Sequence, residues 1–179
     1  MLDATGRYRI RYGDIFRAVG HFLDTRLFRD LTMVETPEGF IVKGGTIRTG
    51  DVGTGFDAQS FLFTDDDLET LLEQAVQRRG AGTTVESALP SITIGDERVR
   101  YEDALRSIGL LVDRLGWQEI VLIQTSAGFH LKGVIREHPA DQALDAVALQ
   151  QLLDQMRSAR QQIDPQESDQ PGRRRFWSR

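Results

Sequence analysis

Apolar positions along this chain recur with two periods, one typical of helices and one typical of strands. Four stretches place apolar side chains three and four residues apart, which predicts amphipathic helices. The first and third begin near Ile15 and Ala104, and the second and fourth cover residues 65–79 and 146–160. Shorter alternating runs between them predict β-strands. Helices lying on antiparallel sheets would place the chain in the α+β class.

The same pattern occurs twice, at an offset of 89 residues. Residues 6–44 align without a gap on residues 95–133, and 13 of the 39 positions are identical. Each copy reads β-α-β-β-α, and the first copy has an additional predicted strand at residues 60–63. We therefore expect two tandem repeats with antiparallel sheets, related by a pseudo-twofold axis. The pattern leaves open whether the two sheets merge or stay separate.

The repeats define the expected domain organisation. Residues 1–87 form the first repeat and residues 88–163 form the second. Residues 164–179 lack periodicity and contain two prolines and four arginines. Such a composition predicts a disordered basic tail.

Glycines that both copies share indicate specific local geometry. Gly20 and Gly109 lie inside the first helix of each copy, where a glycine indicates close approach by another backbone. Gly39 and Gly128 end the hairpin turns and are expected to adopt positive φ.

Several strand features follow from shorter patterns. Residues 8–12 alternate and predict a strand, and residues 91–101 predict a hairpin with Gly-Asp at its turn. The Gly44-Gly45 step, opposite a single glycine in the second copy, predicts a β-bulge. The glycine-rich residues 44–56 lack Gly-Lys-Ser/Thr and G-x-G-x-x-G spacing, so they are interpreted as a mobile strand connection and not as a phosphate cradle.

Composition excludes several classes of function. The chain has 179 residues, 40% of them hydrophobic, a net charge of −5 and no cysteine. Disulfides, thiolate metal sites and cysteine nucleophiles are therefore excluded. No apolar run has the length of a membrane span, and the N-terminus lacks a signal-peptide pattern, so a cytoplasmic location is expected. The acidic balance disfavours general nucleic-acid binding.

Candidate catalytic groups are sparse. The three histidines lack metal-ligand spacing, and no serine lies in a G-x-S-x-G motif. Asp65–Asp67 are interpreted as a helix start, and Asp14 and Asp24 as a solvated helix face. We therefore expect no metal, no cofactor and no catalytic residue, although the absence of a motif leaves the enzyme question open.

Basic residues that occur in both copies form the candidate ligand or partner surface. Lys43 and Lys132 are the only lysines of the chain and occupy the same repeat position. Phe40 and Val42 should face the helices, which leaves Lys43 on the opposite face of the sheet. The full set is Arg9, Arg11, Arg17, Lys43, Arg48, Arg98, Arg100, Arg106, Lys132 and Arg136.

Two interpretations of this set are open. In the first, it forms a twofold-related basic surface for an anionic ligand or an acidic partner. In the second, which we favour, each arginine pairs with a shared aspartate and each lysine guards a sheet edge.

The order helix, three strands, helix in the first copy resembles the double-stranded-RNA-binding domain in outline. That family has a lysine-rich start of its second helix, where this chain has Thr64 followed by Asp65–Asp67. The departure removes the phosphate clamp, so the resemblance implies fold and not RNA binding. A similar resemblance, also at the level of fold, links the chain to small acidic secretion chaperones.

The leading functional hypothesis is a non-enzymatic interaction or scaffold module of unknown pathway, which binds a protein partner or associates with itself as a homodimer. The alternative is binding of a small anionic ligand, or catalysis, at a cleft between the repeats that uses Arg17/Arg106 and Lys43/Lys132. A third hypothesis is weak nucleic-acid binding through the arginine faces and the tail.

Deletion of residues 166–179 tests the interpretation of the tail. Because an aperiodic tail buries little surface, the deletion should leave the melting temperature of the protein nearly unchanged in a thermal scan. A large fall in melting temperature would instead mean that Phe176 and Trp177 dock onto the folded protein.

Overall fold

The structure, a computed structural model, describes residues 11–50, 53–80, 92–94 and 97–163. Its elements, in chain order, are α1 (Tyr12–Thr25), β1 (Arg29–Thr36), β2 (Gly39–Gly50), β3 (Gly53–Thr64), α2 (Asp65–Gly80), β4 (Ile92–Ile94), β5 (Glu97–Val99), α3 (Tyr101–Leu115), β6 (Trp117–Thr125), β7 (Gly128–Ile135), β8 (His138–Asp145) and α4 (Ala146–Ile163). We call α1 to α2 the first half and β4 to α4 the second half.

One antiparallel sheet spans both halves, in the order β3-β2-β1-β6-β7-β8. The α+β class is therefore confirmed, and the two predicted sheets merge at the β1–β6 pair. The short strands β4 and β5 form a separate antiparallel hairpin, as predicted for residues 91–101.

The β1–β6 pair joins the halves with three registered residue pairs. Met33 lies opposite Leu122, and the flanking pairs are Thr32 with Ile123 and Val34 with Val121. Met33 and Leu122 are fully buried, so the join lies in the centre of the core and not at its margin.

The apolar stripes of α1 and α3 pack on one face of this sheet. Phe16 and Val19 of α1 and Ile108 of α3 are completely buried. The ring of Phe40 on β2 meets the ring of Phe16 edge-on, with 6.1 Å between centroids. Val42 is also completely buried. The prediction that Phe40 and Val42 face the helices is confirmed.

Helices α1 and α3 approach each other at two glycines. A Cβ atom on Gly20 would lie 2.7 Å from the backbone of Glu102, and one on Gly109 would lie 2.5 Å from the carbonyl oxygen of Tyr12. Both distances are shorter than a real Cβ contact, so only glycine permits this packing. The predicted close approach of another backbone is confirmed at both positions.

Two aspartates cap helix N-termini across the halves. Asp24, near the end of α1, accepts hydrogen bonds from the backbone N–H groups of Tyr101 and Glu102 at the start of α3, each 2.9 Å long. Asp113, near the end of α3, accepts the N–H groups of Tyr12 and Gly13 at the start of α1, at 3.0 and 2.9 Å. The first-turn amides of a helix have no partner within that helix, so each half completes the helix of the other.

The interpretation of Asp24 as part of a solvated helix face is therefore wrong. Asp24 is only 2% exposed, because its two carboxylate oxygens point into the α1–α3 contact. Asp14, the other member of that predicted face, is exposed in the first turn of α1.

A second reciprocal pair of hydrogen bonds lies at the ends of the β1–β6 pairing. Glu35 accepts the backbone N–H of Ile120 at 3.0 Å, and Gln124 accepts the backbone N–H of Leu31 at 3.1 Å. The side chains thus continue the bonding of the sheet just beyond its last registered residue pair. The hydroxyl of Tyr12 also donates to Glu35, which ties α1 to the same point.

The two central strands, β1 and β6, each contain a β-bulge, whereas the bulge was predicted at the Gly44-Gly45 step of β2. Register shifts occur between Arg29 and Thr32 on β1 and between Gln118 and Val121 on β6. The extra residue lies on these strands, where Asp30 (φ 58°) and Glu119 (φ 53°) adopt positive φ. The β2–β3 pairing runs without a shift past Gly44 and Gly45, so the predicted bulge at that step is wrong.

Three other strand predictions need correction. Residues 44–50 and 53–56 belong to the long hairpin of β2 and β3, so the interpretation of residues 44–56 as a mobile connection is wrong. The second half has a third sheet strand, β8, which the β-α-β-β-α reading omitted. Tyr12 begins α1 and does not end a strand, and the rest of the strand predicted at residues 8–12 lies outside the described residues, apart from Arg11. The predicted tail lies outside them as well.

The outer helices start as their sequences suggest. Thr64 and Asp67 form a capping box, in which the Asp67 backbone N–H donates to the Thr64 hydroxyl and Thr64 donates to the Asp67 carboxylate. These bonds lower the pKa of Asp67. Asp145 caps α4 by accepting the N–H of Ala148 at 2.9 Å.

Gly39→Val and Gly128→Val should each lower the free energy of unfolding by about 1 kcal/mol or more. Both glycines have positive φ, at 130° and 144°, and a Cβ there would overlap the carbonyl oxygens of Phe63 and Leu144. Urea denaturation measures the change. Gly55→Val is the control, because a Cβ at Gly55 of β3 meets nothing within 4 Å. Equal stability of all three variants would contradict the prediction.

Candidate functional site

The two faces of the six-stranded sheet have different surroundings. The face that carries Phe40 and Val42 is buried under the helices. Side chains on the other face are exposed or partly exposed, so none of the helices in the described part of the chain covers them. We call this side the open face. Its central residues are Thr32, Val34, Ile41, Lys43, Ser60, Leu62, Val121, Ile123, His130, Lys132, Asp141 and Ala143.

Strand register arranges these residues in two rows across the sheet. One row reads Leu62, Ile41, Val34, Val121, Lys132 and Asp141. The next row reads Ser60, Lys43, Thr32, Ile123, His130 and Ala143. The middle of the face is therefore apolar or neutral, and one lysine lies on each side of it.

The two lysines lie on the strands next to the edges, β2 and β7. The edge strands are β3 and β8, so the interpretation of the lysines as guards of a sheet edge is wrong. Three strand spacings separate Lys43 from Lys132, which places their Cα atoms roughly 15 Å apart. The prediction that Lys43 lies on the face opposite the helices is confirmed.

The two lysines have different electrostatic surroundings. The ammonium nitrogen of Lys132 lies 3.6 Å from an Asp141 carboxylate oxygen, and the ring Nε2 of His130 hydrogen-bonds the other oxygen. The hydrogen bond from His130 lowers the pKa of Asp141, and the charges of His130 and Lys132 lower it further, whereas desolvation opposes them. Lys43 lies opposite Ser60 and Thr32, and within the described part of the chain it makes no ion pair.

Two of the predicted arginines, Arg17 and Arg106, are separated from the lysines by the sheet. Arg17 belongs to α1 and Arg106 to α3, in the helical layer on the other side. The rest lie around the periphery or in strands: Arg11 and Arg100 precede α1 and α3, Arg98 lies on β5, Arg48 on β2 and Arg136 in the β7–β8 turn, while Arg9 is outside the described residues. The described members of the predicted set therefore lie on different elements and are spread over the sheet and the helical layer.

Arg17 takes part in a polar cluster at the start of α3. Its Nε donates to Glu102 at 2.8 Å, and His21 Nδ1 lies 3.4 Å from the other Glu102 oxygen. Arg100 lies 3.7 Å from Glu102 and also pairs with Asp103. Burial alone would raise the pKa of Glu102, but the hydrogen bonds from His21 and Arg17 and the charges of Arg17 and Arg100 lower it to about 2.

The corresponding place at the start of α1 has no counterpart of the Glu102 carboxylate. Gly13 lies there, and a Cβ on it would approach the side chain of Leu110 at 2.8 Å. Gly13 and Leu110 stand 89 residues from Glu102 and His21, respectively. A charged contact of Glu102 with Arg17 and His21 and a contact of Gly13 with Leu110 thus occupy corresponding places at the two ends of the α1–α3 pair.

No group of three or more His, Asp and Glu side chains among the described residues is arranged to hold a metal ion. In the same part of the chain, no helix combines the length and apolar character needed to cross a membrane.

Comparisons of the chain with family models, with curated proteins and with solved structures gave no match.

Sequence reasoning missed the residues that distinguish the two lysines. Asp141 pairs with Lys132, and Ser60 lies opposite Lys43. Asp141 and Ser60 both belong to edge strands, whose apolar patterns are weak or have no counterpart in the other copy. Side chains alternate between the two faces along β3 and β8, so counting residues from the neighbouring turns would have placed Asp141 and Ser60 on the same face as the lysines. Glu102 was overlooked because its partners Arg17 and His21 are more than 80 residues away.

Glu102→Gln should lower the free energy of unfolding at neutral pH by about 2 kcal/mol. A carboxyl group whose pKa is depressed by folding stabilises the protein above its unfolded pKa, near 4.5. That stability is lost as the pH falls towards the folded pKa of about 2. The difference between wild type and variant should therefore shrink between about pH 5 and pH 2, measured by urea denaturation at each pH.

Asp154→Asn is the control, since Asp154 forms an exposed pair with Arg157 and should matter little at any pH. A stability difference for Glu102→Gln that stayed constant across this pH range would show that the variant acts through packing and not through the charge.

Proposed function

We propose that this protein is a non-enzymatic interaction module whose binding surface is the open face of the sheet. The observation that supports the proposal most directly is the exposure of large apolar side chains on an extended sheet surface. Leu62 is 50% exposed and Phe56, farther along β3, is 53% exposed. Val34, Ile41, Val121 and Ile123 are only partly buried.

Burial of these side chains would drive association. Completing the burial of a half-exposed aliphatic side chain such as Leu62 contributes on the order of 1 kcal/mol. Val34, Ile41, Val121 and Ile123, which lie beside it across the rows and are less exposed, would each add a smaller amount. Apolar side chains grouped on a surface and flanked by charges are typical of protein-binding sites. The partner in this proposal is another protein or a second copy of the chain, as a homodimer, and the setting is the cytoplasm.

The proposal includes an internal duplication with a local twofold axis. Residues 89 positions apart make equivalent contacts: Asp24 caps α3 as Asp113 caps α1. The axis would pass through the Met33–Leu122 pair, because the neighbouring pairs Thr32–Ile123 and Val34–Val121 then exchange with each other. The paired bulges at Asp30 and Glu119 support the same relation.

The alternative function, binding of an anionic ligand or catalysis at a cleft between the halves, gains no support from the geometry. Arg17 lies in the helical layer and is held by Glu102, while Lys43 lies on the far side of the sheet. A small ligand could not contact both.

Leu62→Asp tests the proposed function. The variant places a charge at the β3 end of the apolar row, beside Ile41, and should reduce, at least ten-fold, the proteins recovered with the full-length chain from a lysate of its own cells, quantified by mass spectrometry. A second copy as partner would appear as a dimer in sedimentation that Leu62→Asp converts to a monomer.

Val147→Asp is the matched control. Val147 is 65% exposed on α4, away from the open face. Its substitution therefore replaces an exposed apolar side chain by a charge, as Leu62→Asp does, but outside the proposed site. Equal recovery of partners and equal oligomeric state for wild type and both variants would refute the proposal.

A further inference from the structure

The open face is not equivalent in its two halves. The residue two positions before each lysine differs in polarity between the halves, and so do the cross-strand neighbours of these residues and of the lysines. Ile41 corresponds to His130, and the cross-strand neighbour of Lys43 is Ser60, whereas that of Lys132 is Asp141. The neighbour of Ile41 is Leu62, whereas that of His130 is Ala143.

The first half therefore combines Lys43, which makes no ion pair with the described residues, with the bulky apolar side chains of Ile41 and Leu62. In the second half, Lys132 pairs with Asp141, and the polar His130 and the small Ala143 stand where the first half has Ile41 and Leu62, while the apolar Val121 and Ile123 lie between them and β1. A carboxylate that approaches Lys132 meets the Asp141 carboxylate beside it, whereas one that approaches Lys43 meets the neutral hydroxyls of Ser60 and Thr32.

We infer that the part of the open face around Lys43 binds an acidic segment of a partner protein, with a carboxylate on Lys43 and an apolar side chain on Ile41 and Leu62. This inference rests on the proposed function and assigns the chemistry of its partner.

Strand geometry fixes the spacing of the segment's two anchors. Ile41 lies two residues from Lys43 on the same strand, and Leu62 is a diagonal neighbour, so both lie about 7 Å from Lys43. In an extended segment, side chains two residues apart point the same way and are separated by about 7 Å. The segment thus presents an acid and a large aliphatic residue in an acid-x-apolar or apolar-x-acid pattern.

Two other occupants fit the charges less well. For a second copy to place a carboxylate of its own open face on Lys43, its Asp141 would have to leave Lys132 and His130. Residues 166–179 of the chain carry four basic and two acidic groups, so this segment as a whole is repelled by a lysine.

Fluorescence anisotropy with labelled synthetic peptides tests the inference on the full chain. The probe is a nine-residue peptide, Leu-Ser-Glu-Ser-Leu-Ser-Glu-Ser-Leu, and its partner probe has glutamine in place of each glutamate. Wild type should bind the glutamate peptide at least five-fold more tightly than the glutamine peptide, and added salt should remove the difference.

The chain supplies a matched pair of variants. Lys43→Gln should abolish the preference for the glutamate peptide, whereas Lys132→Gln, at the corresponding position of the other half, should keep it within two-fold. Both lysines are exposed, so neither substitution disturbs the core. Equal effects of the two substitutions, no preference in wild type, or no binding of either peptide at millimolar concentration would each overturn the inference.

Failure of the inference and failure of the proposed function give different results. Equal binding of both peptides that Leu62→Asp abolishes would leave the open face as an interaction surface without an acidic preference. Peptide binding that Leu62→Asp leaves unchanged would refute the proposal that the open face is the binding surface.

Carbodiimide coupling identifies the occupant directly, because the reagent activates a carboxylate, a neighbouring amine attacks the activated acyl group to form an amide, and the reagent leaves as a urea. A Lys43–peptide amide located by mass spectrometry supports the inference. Lys43 coupled instead to Glu167 or Asp169, or to a second copy, in the presence of peptide would assign the face to the tail or to a homodimer.

Discussion

The contact between α1 and α3 determines how the rest of the molecule is arranged. Two glycines allow the helix backbones to touch, and a carboxylate at the end of each helix binds the first amides of the other. Removing either carboxylate would leave two first-turn amides without their partner inside the protein. Because both helices lie on the same sheet, this contact also fixes how β1 meets β6. The two halves are consequently one structural unit, although the sequence can be divided between them.

Sequence patterns were sufficient for features that depend on neighbouring residues. The helices follow from strong apolar periodicity, and the positive φ of Gly39 and Gly128 follows from the turn residues before them. The placement of Lys43 opposite the helices follows from simple alternation beside Phe40. In each case the physical cause lies within a few residues of its effect.

Features set by distant residues were not accessible in the same way. The role of Asp24 depends on amides 77 residues away, so its position on α1 suggested solvent exposure. β8 has few apolar residues, of which only Leu144 is buried, and its pattern is therefore weak. The glycine step on β2 attracted the bulge prediction, although the extra residues lie on β1 and β6, where Asp30 and Glu119 carry no comparable signal.

The position of β1 at the centre of the sheet has a consequence for synthesis of the protein. β1 pairs with β2 on one side soon after both leave the ribosome, but its other side must wait for β6, far along the chain. Until then the nascent first half has an exposed strand edge beside the apolar residue Met33 and an uncapped α1. Pairing over such a distance closes a long loop and is slow. Folding of the first half is thus completed only after β6 has been translated, and chaperone protection of a nascent chain would matter most in that interval.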